Sequence, residues 1–234
     1  LKPIKKRTFD KKFLFLNSYP KIHRVVSYCK FTDLNLLDDM YYTFNPNQIE
    51  IFQKIDTEKY PNTGKLENSG ELQIPDMHNI PPHYYKSFCN IITESHFVTK
   101  NEPMFITEKL DKSITALQPF LVISTSGFLK HLHELGLKTF SDFWDESYDD
   151  ITNNFARLNA VIDIVQELSK KSHKELEEMY VEMLPILKHN VRTVVQHYMM
   201  EQKRIICPEV DVTLYGTYSR MLKKSEGILS KSLI

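Results

Sequence analysis

The chain has 234 residues, of which 41% are hydrophobic and 26% are charged, a composition typical of a folded globular protein. Its 30 basic and 30 acidic side chains cancel, so the chain as a whole has no net attraction to nucleic acid or to an anionic membrane. No stretch approaches the roughly 20 apolar residues that a membrane helix needs, and six glycines exclude a collagen-like repeat. We therefore expect one large domain or two small ones, without a membrane span.

Short apolar runs alternate with helical patterns over the first 136 residues. The pattern predicts strands at 12–16, 40–44, 87–93 and 119–124, and helices at 22–37, 48–55, 107–117 and 128–135. Residues 60–85, which are rich in proline, are predicted to form a long loop or an ordered insertion. Thr107 is expected to cap the third helix, and Gly136 is expected to end the fourth. The alternation predicts a Rossmann-like α/β domain over residues 1–147, with a mostly parallel sheet flanked by helices.

The remainder of the chain has a helical pattern. Apolar side chains recur at three- and four-residue spacing over 151–169 and again over 173–203, where Pro185 is expected to bend the helix. A last helix is predicted at 215–224. We expect residues 148–234 to form a helical C-terminal extension that packs on the α/β domain.

The sequence shows no spacing typical of a metal site. Cys29, Cys89 and Cys207 lie far apart and form no CxxC pair, so we expect reduced, buried thiols in an intracellular, cytoplasmic protein. The acidic run 145–150 could bind a divalent cation through its carboxylates. The favoured interpretation is structural, namely that these acids fix a turn and cap the helix that begins near Ile151.

Three polar clusters lie where strands end or helices begin. In an open parallel sheet, ligands bind at the carboxyl ends of the strands, so these clusters are candidate binding residues. The first follows the first strand, the second ends the third strand, and the third begins a helix and continues one turn along it. Their members are Asn17, His23 and Arg24; Glu94 with its neighbours Thr93 and Ser95; and Thr107, Glu108, Lys109 and Lys112.

The chemistry of these residues suits a nucleotide diphosphate. A helix N-terminus offers unpaired amides to phosphate, and lysine and arginine add charge-assisted hydrogen bonds. Carboxylates such as Glu94 and Glu108 can accept hydrogen bonds from sugar hydroxyls. Each cluster also has a structural alternative, as a helix cap or as solvated surface. The sequence has neither a glycine-rich phosphate loop nor a GxSxG element, so an ordinary kinase or dehydrogenase has no support.

Several segments together resemble glycosyltransferase-like proteins of phages, viruses and bacteria, over roughly residues 10–200. The matching segments are FLFLNSYPKIHR at 13–24, IITES at 91–95, and a longer segment at 105–149 that contains FITEKLDK, QPF, GLKTF and DESYD. The Thr-Glu-Lys element is also similar to that of the α1,3-fucosyltransferase family. That family has the GT-B fold, in which two Rossmann-like domains face each other across a cleft.

The resemblance implies a GT-B-like donor domain that binds a nucleotide-diphosphate sugar without an obligatory metal. By motif, Glu94, Glu108 and Lys109 would line the donor site, and His23 and Arg24 would lie near the diphosphate. The sugar would be transferred to a hydroxyl of a glycan, a protein or a modified base of phage DNA, in the cytoplasm of a bacterium or of an infected host cell. Balanced charge mildly disfavours DNA as the acceptor.

The sequence departs from the family pattern at two places. Leu110 and Asp111 replace the usual aromatic or threonine-rich pair, and Ser113 stands where related sequences often have proline. An acid at 111 that faced the phosphates would weaken the donor site. Asn17 matches the pattern less closely than the other candidates.

The sequence leaves the acceptor-binding part of the protein undetermined. GT-B enzymes also have an N-terminal acceptor domain, and about a dozen residues precede the first predicted strand. The chain is expected to be a fragment, to build the acceptor side from residues 45–85, or to be a degenerate relative. His23 is the candidate general base because the intrinsic pKa of imidazole suits that role.

The alternative function is a non-catalytic binding or scaffold protein that retains the fold. Its partner surface would be the long helices at 151–203. The oligomeric state is open under either hypothesis.

Overall fold

A computed structural model describes residues 7–17, 21–43, 80–97 and 106–205, with side chains as far as residue 197. The strands are β1 (Lys11–Leu16), β2 (Met40–Thr43), β3 (Ser87–Thr93) and β4 (Phe120–Ile123). The α-helices are α1 (Ile22–Asp33), α2 (His83–Lys86), α3 (Glu108–Thr115), α4 (Phe128–Glu134), α5 (Asn154–Ser169) and α6 (His173–Ile205). Short 3-10 helices cover Leu37–Asp39 and Ser147–Asp150.

The four strands form one parallel sheet in the order β2-β1-β3-β4. Leu14 of β1 lies opposite Tyr41 of β2 and Asn90 of β3, and Asn90 in turn lies opposite Phe120 of β4. The prediction of an α/β fold with a parallel sheet is confirmed. The chain leaves β1 for β2 on one side and returns to β3 on the other, so the strand order reverses between β1 and β3.

Both faces of the sheet are covered, which explains why the central strands are continuous apolar runs. On one face Phe15 contacts the Phe31 ring of α1, with ring centroids 5.2 Å apart. On the other face Leu14 belongs to a cluster with Tyr84 and Ala116, at the C-terminal end of α3. Helix α1 packs against α5, and α3 packs against α6. The reversal of strand order thus places the β1–β2 and β3–β4 crossover helices on opposite faces.

The two long helices share the core of the sheet. Val161 of α5 and Leu176 of α6 belong to the same cluster of buried apolar side chains as Phe13 and Ile91 of the strands. The domain boundary expected at residue 147 stays a prediction. Of the helices in the described segments, none combines the length and the apolar character that a membrane crossing requires.

Some element boundaries differ from the predicted ones. The helix expected at 22–37 ends at Asp33, and Asn35 adopts a left-handed conformation with a φ of 55°. The helix expected from Ile151 begins at Asn154, because Asn153 accepts hydrogen bonds from two amides of its first turn. Gly136 ends α4 with a φ of 80°, as predicted.

Several expected elements lie outside the described residues. These are the helices predicted at 48–55 and 215–224 and most of the insertion predicted at 60–85. The long helix α6 runs through Pro185.

Candidate functional site

The candidate site lies at the carboxyl ends of β1 and β3, where the strand order reverses. In open α/β sheets this position forms a crevice, because the two neighbouring crossovers leave in opposite directions. Asn17 follows β1 and Glu94 follows β3, and both side chains are buried. The N-termini of α1 and α3 bring the remaining candidate residues to the same place.

Asn17 joins the ends of three strands. Its backbone amide donates to the Thr43 carbonyl of β2 at 3.0 Å, and its Oδ1 accepts a hydrogen bond from the Thr93 hydroxyl of β3. The side chain is 1% exposed, and its Nδ2 has no hydrogen-bond partner among the described residues. A buried amide that lacks a partner costs free energy, so this donor is available to a ligand in the crevice.

Glu94 is a fully buried carboxyl group at the end of β3. Its Oε1 accepts a hydrogen bond from the Thr107 amide at 3.2 Å, and its Oε2 has no partner within the described part of the chain. Burial raises the pKa of Glu94, although hydrogen bonds from Thr107 and the charge of Lys109 oppose the rise. Thr107 also caps α3 as predicted, since its hydroxyl accepts from the Lys109 amide at 3.4 Å.

Two cations lie beside this carboxyl group. Arg24 is 3% exposed and donates from Nη2 to the Thr93 carbonyl at 3.2 Å. Burial lowers the pKa of Arg24, whereas the charges of Glu94 and Glu108 raise it. Burial also lowers the pKa of Lys109, and the neighbouring charge of Arg24 lowers it further. The charges are therefore close enough to shift one another, so Arg24, Glu94, Glu108 and Lys109 lie together at the ends of β1 and β3.

Lys21 adds a third cation that the sequence analysis did not single out. Its Nζ donates to the Ser95 carbonyl at 2.8 Å, and its charge lowers the pKa of both His23 and Lys109. The sequence signal for Lys21 was its position directly before a predicted helix, near the end of a strand. Lys112 is buried one turn along α3.

His23 is held in a structural role. The imidazole is 2% exposed, and its Nε2 donates to the Glu94 carbonyl at 2.9 Å. Burial, followed by the adjacent charge of Arg24, lowers the pKa of His23 to about 3. A buried imidazole of low pKa suits a structural role better than that of a general base, which stays a prediction for His23. His23 lies near the other candidate residues, as the sequence predicted.

Asp111 lies on the side of α3 that is nearest to Glu94. Its side chain is exposed, yet loss of surrounding water raises the pKa of its carboxyl, and Glu94 and Glu108 add to the rise. The acid therefore contributes negative charge at the edge of the crevice. A ligand with phosphates must place them toward Arg24 and Lys109 rather than toward this edge.

An aromatic side chain forms one wall of the site and was missed in the sequence. The Phe97 ring stacks on His23, with centroids 4.7 Å apart and planes 21° apart. Arg157 of α5 lies over the same ring at 5.7 Å and donates from Nη2 to the Phe97 carbonyl at 3.2 Å. The available signal for Arg157 was a charged residue on the apolar face of the predicted helix, beside Leu158 and Val161.

The acidic run at 145–150 fixes a turn, as favoured, but it does not cap the helix that follows it. Glu146 accepts from the Phe140 amide at 2.8 Å, and Asp145 accepts from the Ser147 amide at 2.9 Å. Asp149 accepts from the Lys130 amide at 3.1 Å and so caps α4, not α5 as predicted. Over the described segments, no group of three His, Cys, Asp or Glu side chains is placed to hold a metal ion.

A separate cavity of about 430 Å³ lies between α5 and residues 143–148. Phe143, Trp144 and Ile164 form apolar parts of its wall, and Asp163 and Lys171 also line it. None of the strand-end residues contributes to this wall. The convergence of buried charges, rather than cavity size, therefore identifies the candidate site.

Comparison with protein-family models, with curated proteins and with solved structures found no match to this chain. The glycosyltransferase resemblance therefore stays a prediction from its motifs, and the structure shows an α/β fold with a parallel sheet.

Proposed function

We propose that the protein is a glycosyltransferase that binds a nucleotide-diphosphate sugar at the crevice between the ends of β1 and β3. The observation that carries this proposal is that buried Arg24 and Glu94 and half-buried Lys109 lie together at the N-terminus of α3, where the Thr93 carbonyl holds Arg24 and the Thr107 amide holds Glu94. The family resemblance and the position at the reversal of strand order support the same ligand class. The GT-B assignment belongs to this proposal.

The diphosphate would bind the positive part of the crevice. The first-turn amides of α3 and the positive end of its dipole favour phosphate, and Arg24 can donate two parallel hydrogen bonds. Lys109 and Lys21 add charge without requiring a metal ion. During transfer the leaving diphosphate gains negative charge, which these fixed groups would stabilise more strongly than they stabilise the intact donor.

Glu94 would orient the hydroxyl groups of the donor. Its Oε2 lacks a hydrogen-bond partner among the described residues, while Oε1 is fixed by the Thr107 amide. A fixed carboxyl oxygen in a dry site can accept a hydrogen bond from a ribose or sugar hydroxyl. The hydroxyl acceptor of the transfer stays within the proposed classes: a glycan, a protein or a modified base of phage DNA. His23 would hold the Glu94 backbone through its hydrogen bond to that carbonyl.

The alternative function, a non-catalytic scaffold, explains the charge cluster less well. Burying several charged groups costs free energy unless they are fully paired, and replacing them with apolar residues is often stabilising. In a protein that only binds a partner through α5 and α6, nothing would offset that cost in free energy. A ligand that engages the charges provides the reason for keeping them.

The experiment is a thermal-shift screen against UDP, GDP, ADP, CMP and dTDP and their sugars, with and without magnesium. A ligand at about 100 times its Kd stabilises the folded chain by roughly 2.7 kcal/mol. We expect a shift with one nucleotide family, independent of magnesium, that is lost in Lys109→Ala. The matched control is Lys130→Ala, which removes an exposed lysine from α4 and should keep the shift.

A folded wild-type chain that responds to none of these nucleotides would favour the scaffold. A shift that survives unchanged in Lys109→Ala would place the nucleotide elsewhere on the protein. Urea denaturation of the ligand-free variant checks that Lys109→Ala folds.

A further inference from the structure

An exposed aromatic ring lies next to the candidate site. Phe155, on the first turn of α5, is 46% exposed, whereas most of the large apolar side chains in the described segments are buried. Its ring contacts buried Phe97 edge to face, with centroids 5.8 Å apart and planes 71° apart. Phe97 in turn stacks on His23, whose Nε2 contacts the Glu94 carbonyl. A continuous series of contacts thus connects Phe155 with His23 and, through it, with the backbone carbonyl of Glu94 at the end of β3.

The position of Phe155 is fixed by its neighbours. Its backbone amide donates to the Asn153 side chain at 3.1 Å, which anchors the first turn of α5. Phe97 beneath it is held by His23 on one side and by Arg157 on the other. A ring that is both exposed and anchored can stack on a flat ligand without losing much side-chain freedom.

Ile22 is a second exposed apolar side chain at the same end of the sheet. It is 48% exposed and begins α1, directly before His23, and α1 packs against α5. We refer to Phe155 and Ile22 as the apolar ledge. Phe155 reaches the strand-end residues through Phe97 and His23, and Ile22 directly precedes His23 in α1.

We propose that the apolar ledge binds the nucleobase of the donor, with the base stacked on the Phe155 ring. This inference rests on the proposed function, because it requires the diphosphate to lie at Arg24 and Lys109. A nucleotide has a charged end and a flat aromatic end, and the crevice offers a cationic group of residues beside an aromatic one. The nucleobase is the only aromatic part of a nucleotide sugar, so it is the part that stacks best on phenylalanine.

The experiment measures binding to the full chain by isothermal titration calorimetry. The ligands are the nucleoside diphosphate selected by the screen, its sugar and inorganic pyrophosphate, which lacks a base. Stacking on an aromatic side chain is worth about 1–3 kcal/mol, so Phe155→Ala should weaken nucleoside diphosphate binding by about 5- to 150-fold. Pyrophosphate binding should not change, and Phe155→Tyr should retain nucleotide affinity.

The matched control is Val181→Ala, which truncates an exposed apolar side chain of α6 (55% exposed) and should leave all affinities unchanged. Equal nucleoside diphosphate binding by Phe155→Ala and wild type would overturn the ledge and leave the proposed function intact. A loss confined to the sugar nucleotide would also overturn it, because the sugar and not the base would then contact the ring. An equal loss of pyrophosphate binding would show that Phe155 acts through the phosphate site. Failure of every nucleotide and of pyrophosphate to bind wild type would overturn both proposals.

Discussion

The burial of His23 predicts a specific loss of stability in mild acid. The folded state holds the imidazole neutral, with a pKa of about 3, whereas the unfolded chain has the ordinary value of 6.5. Between these values the unfolded state binds a proton that the folded state does not. Stability from this group is therefore complete above pH 6.5 and is lost as the pH falls toward 3.

The size of the effect follows from the two pKa values. Moving from pH 7 to pH 5 favours the unfolded state by about 2 kcal/mol through this one group. For a chain of this size, that change lowers Tm by about 4–8 °C. Glu94 and Asp111 act in the opposite direction, because burial raises the pKa of each carboxyl group. Comparison with a variant that lacks the imidazole therefore isolates the contribution of His23 to the loss of stability.

Urea denaturation at pH 5 and pH 7 should be measured for wild type, His23→Gln and the control His197→Gln. Glutamine can keep the hydrogen bond to the Glu94 carbonyl but does not titrate, so His23→Gln should lose about 2 kcal/mol less stability than wild type on acidification. His197 is exposed on α6, and its variant should behave as wild type. An equal acid loss in wild type and His23→Gln would refute the argument. If His23→Gln does not fold, a protonated His23 imidazole in the wild-type NMR spectrum at pH 5 would refute it as well.

Three further predictions concern other residues. Glu94→Gln should stabilise the ligand-free protein at pH 8 by about 1 kcal/mol in urea denaturation, because it removes a carboxylate whose pKa is raised by burial. The same variant should bind the nucleotide more weakly. Arg7→Met should cost about 3 kcal/mol, because the guanidinium donates to the carbonyls of Tyr85 and Ala116 at 3.0 and 2.9 Å; Lys174→Met, at an exposed position, is the control. Cys89, which is 0% exposed and whose thiol pKa is raised by burial, should be alkylated only after unfolding, as measured by mass spectrometry of labelled peptides.

The sheet could be predicted from sequence because its strands are buried on both faces. Runs such as those around Phe15 and Leu121 are continuously apolar, and each is followed by a helical pattern with its own cap or stop. The order of the strands could not be predicted, since alternation alone does not say on which side of β1 the third strand lies. The turn at Asn35, which ends α1 early, has a left-handed backbone that no apolar pattern encodes.

The candidate site was predicted to the extent that its residues follow strand ends. Asn17, Arg24, Glu94 and Lys109 meet because parallel strands all present their carboxyl ends to the same edge. The environment of His23 could not be predicted, since its hydrogen-bond partner is a backbone carbonyl 71 residues away. Long-range contacts with backbone atoms leave no mark on the types of residue in the sequence.

The opposite pH responses of His23 and Glu94 connect the fold with the proposed function. His23 is kept neutral and spends its only N–H on the Glu94 backbone, so it strengthens the strand end without adding charge. Glu94 keeps one carboxyl oxygen without a partner among the described residues, in a place where burial disfavours its ionised form. A site built only for stability would satisfy that oxygen or replace the carboxyl group. The combination of a well-supported backbone and an unsatisfied side chain is expected where a ligand completes the hydrogen bonds, here through a hydroxyl group of the nucleotide sugar that donates to this oxygen.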